Sequence, residues 1–337
     1  MTSRTTSSAR PTRASRTAAV APWAAAAVVL VLAVVSLFVG VADVDLAGLF
    51  TDPEAREVFL ISRVPRTVAL LLAGSALAVA GLIMQHLARN RFVAPTTAGT
   101  IDAAGLGLLT ATLVFAGASI MTKILIAMVF ALAGTALFIG IIQRIQFKDV
   151  IFVPLVGLLL GGVFGAIAEF FAYRNNLTQT LSVWMNGDFS GVIQGRYETL
   201  WFAGVVAVIA YVFANRFTAA GMGREFATNI GVNYRAWMAA GLTIAAMVTA
   251  VVVVTVGAIP FLGLIVPNIV TLMLGDNLRR VLPTTALAGA ALVVFCDILG
   301  RWLIFPYEIA VGTIVGVIGS AIFLVLIMRR RNTYAAA

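Results

Sequence analysis

Residues 221–237 read GMGREFATNIGVNYRAW and form a polar island between two apolar blocks, residues 200–213 and 238–259. Within the polar island, residues 224–230 are predicted to form a short helix that ends at Gly231, because glycine readily adopts the left-handed conformation that closes a helix. A short polar helix between two membrane spans usually lies outside the bilayer, where it faces soluble molecules. On composition alone, an ordinary solvated loop is the alternative interpretation.

The composition is that of a polytopic membrane protein. Of the 337 residues, 61% are hydrophobic and 11% are charged, whereas a soluble domain carries about 25% charged residues. The mean hydropathy is +1.03. The net charge of +9 would also suit a nucleic-acid-binding protein, but the basic residues lie between apolar runs and form no contiguous face. We therefore expect the lipid bilayer as a partner, and no nucleic acid.

The chain has few residues that could hold a metal ion or carry out redox chemistry. Cys296 is the only cysteine and His86 is the only histidine. A disulfide within the chain, a cysteine-based metal cluster and a His-Glu-x-x-His zinc site are therefore excluded. We expect neither a metal site nor a cofactor.

Ten segments are apolar enough to be membrane spans, and they predict an all-α fold. A helix needs about 20 apolar residues to cross the hydrocarbon core, and the sixth and eighth segments are shorter than that. The ten segments are residues 18–42, 67–87, 96–116, 123–142, 151–173, 200–213, 238–259, 261–274, 283–303 and 309–328.

The basic residues predict the orientation of the spans. When the N-terminus is placed in the cytoplasm, 16 of the 23 Lys and Arg residues fall in inside segments and 7 fall in outside segments. This bias predicts that both termini and the polar island are cytoplasmic. The expected organisation is a disordered basic tail over residues 1–17, one transmembrane domain over residues 18–331 and a short tail over residues 332–337.

Two interruptions of the spans favour a transporter over a simple anchor. Residues 93–99 open the third span and contain a proline, and residues 257–263 join the seventh and eighth spans almost without a loop. Non-helical backbone at membrane depth is tolerated only where protein or a water-filled cavity satisfies its polar groups. Glycine is frequent within the spans, and small residues let membrane helices pack closely.

Four stretches, in order along the chain, carry a family resemblance. They are residues 63–66 leading to Gly74, residues 80–81 and Gln85; residues 89–90 followed by Pro95 and Gly99; residues 223–227 with 230–232; and residues 257–267 continuing to 282–283, Asp297, Arg301 and 308–312. On these motifs and the ten spans, the chain resembles the FecCD family from about residue 46 to residue 331. Members of that family are the permease subunits of ABC importers for iron-siderophores, haem and vitamin B12.

Two positions depart from the usual pattern of the family. Asn90 precedes Arg91 where the family commonly has Asn-Pro, and Pro267 precedes Asn268 where it commonly has Pro-His. Residues 91–100 look instead like the branch that imports catecholate-type siderophores, which often uses a pair of unlike permeases. The resemblance thus implies a ferric siderophore as substrate, and it leaves open whether the second permease subunit is identical or a relative.

The resemblance also implies the fold, the location and the partners. It implies a type II ABC importer permease fold in the bacterial cytoplasmic membrane, with alternating access along a path formed by two permease subunits. An extracytoplasmic substrate-binding protein would deliver the chelate. The sequence contains no Gly-x-x-x-x-Gly-Lys-Ser/Thr loop, so separate ATPase subunits would have to hydrolyse ATP. The chain itself is then not an enzyme.

Three sets of residues match functional positions of the family. The set that matches the ATPase-coupling helix is Gly223, Arg224, Glu225, Phe226, Ala227, Ile230, Gly231 and Val232. The set expected to dock the binding protein is Arg63, Arg66 and Arg301, and the set expected at a periplasmic-side gate is Trp184, Met185 and Gly187. Phe226, Ala227 and Ile230 would supply the apolar contact of the coupling helix. Anchoring at lipid headgroups is the simpler interpretation of the arginines and of Trp184.

Two other classes of function stay open on the sequence. An ion-coupled secondary transporter would need no ATPase but would need ion ligands within the membrane, for which Asp102, Glu169 and Asp297 are the candidates. An intramembrane enzyme would need a catalytic or metal site, for which the sequence offers a single histidine at the edge of a span.

Overall fold

The structure of the chain is a computed structural model that describes residues 13–40, 48–115, 117–144 and 152–335. Arg4 and Arg10 of the predicted basic tail, and Lys148 between the fourth and fifth spans, lie outside the described residues. The regular secondary structure in these four ranges is entirely helical, so the predicted all-α fold is confirmed.

Fifteen α-helices and one π-helical turn make up the described part of the chain. In chain order they are α1 (Arg13–Phe38), α2 (Gly48–Thr51), α3 (Pro53–Val58), the π-helical turn (Phe59–Arg63), α4 (Val64–Leu87), α5 (Thr100–Val114), α6 (Ile120–Arg144), α7 (Phe152–Arg174), α8 (Thr178–Trp184), α9 (Leu200–Val212), α10 (Ala214–Gly221), α11 (Arg224–Asn229), α12 (Tyr234–Val256), α13 (Leu262–Leu274), α14 (Leu278–Leu303) and α15 (Val311–Ala335).

Each of the ten predicted spans coincides with one of these helices. Within the described residues, six helices are long and apolar enough to cross a membrane. The sixth predicted span coincides with α9, and the next helix, α10, meets α9 at an angle of 67°. The other three, α5, α13 and the apolar part of α15, are shorter apolar helices. The chain is therefore a polytopic membrane protein.

The first and last helices extend into the two segments predicted as tails. Helix α1 begins at Arg13, so the tail predicted over residues 1–17 is helical from residue 13 onward. Helix α15 continues to Ala335, so the predicted C-terminal tail is helical as far as that residue. Hydropathy marks where a span leaves the bilayer, but a helix can continue into water beyond that point.

Helix α4 forms the centre of the fold and packs against α9, α12, α13 and α14. Its glycines allow this close packing. A Cβ atom on Gly74 would lie 2.7 Å from the carbonyl oxygen of Gly289 in α14, and one on Gly81 would lie 1.9 Å from the carbonyl oxygen of Gly263 in α13. No side chain fits at such separations, so the close approach of these helices requires glycine, as the abundance of glycine predicted.

A side chain of α4 compensates for the proline inside α13. Pro267 has no N–H to donate, so the carbonyl of Gly263 one turn earlier loses its helical hydrogen bond. The side-chain amide of Gln85 reaches this gap and donates to the carbonyl oxygens of Gly263, at 3.4 Å, and Leu264, at 3.1 Å. The amide of Asn268 also donates to Leu264, at 2.7 Å. The interrupted backbone is thus satisfied by protein, as membrane burial demands.

Candidate functional site

The short helix predicted over residues 224–230 is present as α11, which ends at Asn229, with Ile230 as its C-cap and Gly231 just beyond. Gly223, just before it, has φ +110° and Gly231 has φ +75°, and L side chains rarely adopt either conformation. At the C-terminal end, the N–H of Val232 donates to the carbonyl of Ala227, at 2.8 Å, and the N–H of Gly231 donates to that of Thr228, at 3.0 Å. These two bonds form a Schellman motif, which gives the short helix a defined end.

One face of α11 is fastened to the rest of the chain. Ala227 and Val232 are buried in a small apolar cluster with Ala219 of α10, and Trp237 of α12 packs against it. The Trp237 ring lies 5.3 Å from the ring of Phe217 in α10, measured between centroids. The short helix is therefore held rigidly against both α10 and α12.

The opposite face of α11 exposes apolar side chains. Phe226 is 43% exposed and Ile230 is 52% exposed, and Arg224 and Glu225 beside them are exposed as well. The expectation for Ala227 is wrong in one respect, since it is fully buried and cannot contact a partner. Met222, which the sequence reasoning missed, is 55% exposed just before the helix. Its apolar side chain within the polar island was the available signal.

The three arginines expected to face outward are buried instead. Arg63, Arg66 and Arg301 are 8%, 9% and 3% exposed. Docking to another protein requires accessible guanidinium groups, so the expected exposure of this set is wrong. Their guanidinium groups contact other groups of the same chain.

Asp297 of α14 is the acidic centre of the arginine cluster. Nε and one terminal nitrogen of Arg66 donate to one of its carboxylate oxygens at 3.1 and 2.7 Å, and Arg301 lies 2.5 Å from the other oxygen. Arg66 also forms an ion pair of 2.8 Å with Glu308, between α14 and α15. A buried carboxylate is tolerated when it is paired in this way, so Asp297 has a structural explanation.

The same arginine cluster caps the C-terminal end of α1. Arg301 donates to the carbonyl oxygen of Ser36 at 3.0 Å and to its hydroxyl oxygen at 2.7 Å. Arg63 and Arg301 both donate to the carbonyl oxygen of Val39. Carbonyls at a helix C-terminus carry partial negative charge, which favours cations there. The arginine cluster thus ties together α1, α4 and α14.

The expected gate residues lie at α8 and in the loop that follows it, and we call residues 184–190 the gate segment. The N–H of Gly187 donates to the carbonyl of Ala258, at 2.9 Å, and the N–H of Asp188 donates to that of Val256, at 2.8 Å. The gate segment thereby satisfies carbonyls that the end of α12 leaves free. A Cβ atom on Gly187 would lie 2.6 Å from the Ala258 oxygen, so only glycine permits this contact.

The gate segment also touches α5 and α15. The Sδ atom of Met185 would lie 2.6 Å from a Cβ atom on Gly105 of α5. The N–H of Gly312 in α15 donates to the carbonyl of Gly187, at 2.8 Å. Trp184 ends α8, and its carbonyl lies close to Gly257. The gate set is therefore brought together at a point where three helices meet.

The three candidate intramembrane acids do not form one site. Asp297 is paired with arginines, Asp102 lies in the first turn of α5 against Gly161 of α7, and Glu169 is exposed on α7. Across the described ranges, no group of three or more His, Cys, Asp and Glu side chains could hold a metal ion. An ion-coupled mechanism is not favoured by this arrangement.

Comparison with known proteins agrees with the geometry. The FecCD transport family matches residues 28–329. The petrobactin import system permease protein YclN of Bacillus subtilis is 51% identical over 304 residues, which cover 90% of this chain and 96% of that protein. The ferric-anguibactin transport system permease protein FatD of Vibrio anguillarum is 42% identical over 299 residues, which cover 88% of this chain and 95% of that protein.

A solved structure shares the fold. It is an inward-facing conformation of a protein assigned to the metal-chelate type of ABC transporter, with a TM-score of 0.76 and 23% sequence identity, covering 92% of this chain and 99% of that chain. At that identity the likeness concerns the fold alone. The family match spans most of the sequence, and the ten apolar helices agree with it. The chain therefore belongs to the FecCD transport family and is a multi-pass ABC importer permease of the cytoplasmic membrane.

Proposed function

We propose that the chain is the permease subunit of an ATP-driven importer that carries a ferric siderophore into the cytoplasm. Two relatives named for petrobactin and anguibactin are 51% and 42% identical over nearly the whole chain. That similarity, with the catecholate-like residues 91–100, supports a siderophore of this general class. Separate ATPase subunits supply the energy, since the sequence has no P-loop.

The observation that carries this proposal is the geometry of α11. The helix exposes Phe226 and Ile230 while its other face is buried against α10 and α12. Exposed apolar side chains on a rigid cytoplasmic helix suit docking into a groove on a soluble partner. The charged pair Arg224 and Glu225 lies at the rim, where polar contacts set the register of an interface.

Helix α12 connects the coupling helix to the gate segment. It starts at Tyr234, three residues after Gly231, and its last residue, Val256, accepts a hydrogen bond from Asp188 of the gate segment. Its 23 residues correspond to a length of about 34 Å. Movement of α11 by the ATPase would therefore reach the gate segment through a single continuous helix.

The exposed face of helix α7 suits contact with a second permease subunit. Among the described residues, nothing outside the surrounding turns of α7 lies within 4 Å of a Cβ atom built on Gly162 or Gly165. Leu159 and Val163 on the same helix are 65% and 54% exposed. Glycines on an exposed apolar face let another membrane helix approach closely, and a path for a bulky chelate is most simply formed between two such subunits.

Other arginines are suited to docking the binding protein. Arg56 of α3 and Arg196, in the loop before α9, are exposed on the side assigned to the outside. The N–H of Gln194 donates to the carbonyl of Ile61, at 2.9 Å, so the two segments lie together. Arg56 and Gln194 line a common cleft of about 470 Å³. We propose that these two arginines pair with carboxylates of the binding protein.

The test is ATP hydrolysis by the complex of this chain, its second permease and its ATPase, reconstituted in vesicles with the binding protein. We expect the loaded binding protein to stimulate hydrolysis, and the double variant Phe226→Glu/Ile230→Glu to lose stimulation because charge replaces the apolar contact. The control Phe226→Leu/Ile230→Val keeps an apolar surface and should retain stimulation. Uptake that needs no ATPase and follows a proton or sodium gradient would contradict the proposal.

A further inference from the structure

A cleft lies where α11 ends and α12 begins, and we call it the α11–α12 cleft. It has a volume of about 380 Å³, and its lining includes Arg224 and Thr228 of α11, Asn233 before α12 and Arg235 in the first turn of α12. Thr228 is two positions from Phe226, which corresponds to about 200° around a helix. The cleft therefore lies on a different side of α11 from the exposed Phe226.

The α11–α12 cleft is positively charged. Among the described residues that line it there are two arginines and no acid. Arg224 and Arg235 are both exposed, and none of the ion pairs within the described ranges involves either of them. Glu225, the acid next to Arg224 in the sequence, is not part of the lining. Two guanidinium groups thus face one cleft without a carboxylate of the lining to balance them.

The hydrogen bonds of the other polar side chains in the cleft add a further donor. The hydroxyl of Thr228 donates its hydrogen to the carbonyl of Arg224, at 2.8 Å. The side-chain oxygen of Asn233 accepts from the N–H of Ala236, at 3.1 Å, and so caps α12. This leaves the NH₂ group of Asn233 for a ligand, and that group can only donate. The cleft therefore offers two guanidinium groups and an amide donor, which together suit an anion.

The position of the cleft beside the coupling surface indicates which anion it receives. A helix with its side chains is about 10–12 Å wide, so a protein seated on the exposed Phe226 and Ile230 also lies within one helix diameter of the cleft. Such a protein can place a carboxylate there, and arginine binds carboxylates in a bidentate manner. A lipid headgroup carries a similar anionic group, but it would leave the two apolar side chains uncovered.

We propose that the α11–α12 cleft receives an acidic side chain of the ATPase subunit, which is held between Arg224 and Arg235. This inference rests on the proposed function, because it takes the ATPase as the protein that covers α11. An apolar contact on one side of α11 and a charged contact on another fix the orientation in which the ATPase is seated. They also favour an ATPase that carries an acid at this place over one that does not.

Binding of the purified ATPase to the assembled permease pair in phosphatidylcholine nanodiscs tests this proposal. We expect Arg224→Gln/Arg235→Gln to raise the Kd at least about tenfold at low salt, with a smaller effect at high salt because salt screens exposed charges. Arg279→Gln/Arg280→Gln removes two exposed charges from the first turn of α14 and should leave the Kd nearly unchanged. Equal losses in both double variants would show a general effect of net charge and would overturn the proposal.

A charge exchange identifies the acidic partner. Arg224→Glu/Arg235→Glu should weaken binding more than the glutamine variant does, and replacing one acidic surface residue of the ATPase by arginine should restore it. The proposal is wrong if no such replacement restores binding. It is also wrong if the loss appears in phosphatidylglycerol nanodiscs but not in phosphatidylcholine nanodiscs, because the cleft then binds a lipid headgroup.

Failure of this inference can be told apart from failure of the proposed coupling. Both arginines are exposed, so their variants should keep the thermal stability of the wild type. If Phe226→Glu/Ile230→Glu loses stimulation while Arg224→Gln/Arg235→Gln binds the ATPase like the wild type, only the acidic contact is wrong. If neither variant affects the ATPase, α11 is not the docking helix and both proposals fail.

Discussion

The backbone N–H of Gly312 donates a 2.8 Å hydrogen bond to the carbonyl of Gly187, and this bond joins the first turn of α15 to the gate segment. Gly187 in turn donates to Ala258 after the end of α12, at 2.9 Å. One peptide segment therefore bridges the end of one membrane helix and the start of another. Any change in the position of α12 must be transmitted to α15 through this segment or break these bonds.

Enlarging Gly187 should disrupt this bridge. In Gly187→Ala the new Cβ atom would lie 2.6 Å from the carbonyl oxygen of Ala258, and backbone cannot move aside cheaply. We expect a loss of about 1–3 kcal/mol of stability and a marked loss of siderophore uptake, measured by thermal unfolding and by transport in vesicles. Gly140→Ala is the control, because no described residue of another segment lies within 4 Å of its Cβ atom. Unchanged uptake in Gly187→Ala would refute a role in gating.

Replacing Gln85 by Leu should leave the Gly263 carbonyl without a donor. Side-chain hydrogen bonds between membrane helices contribute about 0.6–2 kcal/mol, so we expect destabilisation of that size in thermal unfolding. The double variant Gln85→Leu/Pro267→Ala should recover part of the loss, because the N–H of alanine at position 267 can donate to Gly263 again. Strictly additive effects of the two substitutions would show that Gln85 does not compensate for the proline.

Asp297→Asn should destabilise the folded chain strongly. It removes the charge that neutralises Arg66 and Arg301 in a buried site, and breaking such a pair costs about 3–5 kcal/mol. Asp276→Asn breaks the exposed pair with Arg91, which should cost about 0–1 kcal/mol. Denaturation of the two variants in matched bilayers gives the comparison. Similar midpoints would mean that the buried cluster adds nothing to stability.

Substitution of the exposed Arg56 and Arg196 should affect binding-protein docking, whereas substitution of the buried Arg66 should affect folding. Arg56→Glu/Arg196→Glu changes exposed residues, so we expect normal thermal stability but weaker stimulation of ATP hydrolysis by the binding protein, with a stronger effect at low salt. Arg66→Glu places an acid next to Asp297 and Glu308 and should unfold the chain. The docking proposal fails if the double variant binds and responds to the binding protein like the wild type.

The glycine face of α7 should be needed for assembly but not for folding. Gly162→Leu and Gly165→Leu add side chains where no described residue of a neighbouring helix lies within 4 Å of a Cβ atom, so the isolated subunit should keep its stability. The assembled permease pair should dissociate, which native mass spectrometry of the detergent-solubilised complex can measure. Gly140→Leu on α6 is the matched control. Intact pairs in both α7 variants would place the second subunit on another face.

Helix α11 was predictable because its signals are local. Gly231 ends the polar stretch, and the Schellman bonds within residues 227–232 need no distant partner. The three positions expected at a gate were singled out only as a set, through the family resemblance. Their contacts with Gly105, Ala258 and Gly312 join segments far apart in sequence, and no periodicity along the chain indicates them.

The arginine cluster shows why the residues near an arginine in the sequence do not predict whether that arginine is buried. Arg66 and Asp297 are 231 positions apart. From the sequence alone, an arginine near the end of a span is equally consistent with an exposed position and with anchoring at lipid headgroups. Packing of α4 against α14 brings the acid to the arginine. Burial then decides the outcome, because a charge removed from water must be paired.

Hydropathy was sufficient to predict the all-helical membrane fold and an apolar helix at each of the ten segments. These are properties of single segments in contact with lipid or water, so each can be inferred from the residues of that segment alone. Tertiary packing alone decided that three outer arginines are buried, that Gln85 compensates for Pro267 and that Gly187 joins α12 to α15. Each of these depends on atoms from separate helices meeting within about 3 Å, and the order of residues in a single chain does not specify such distances.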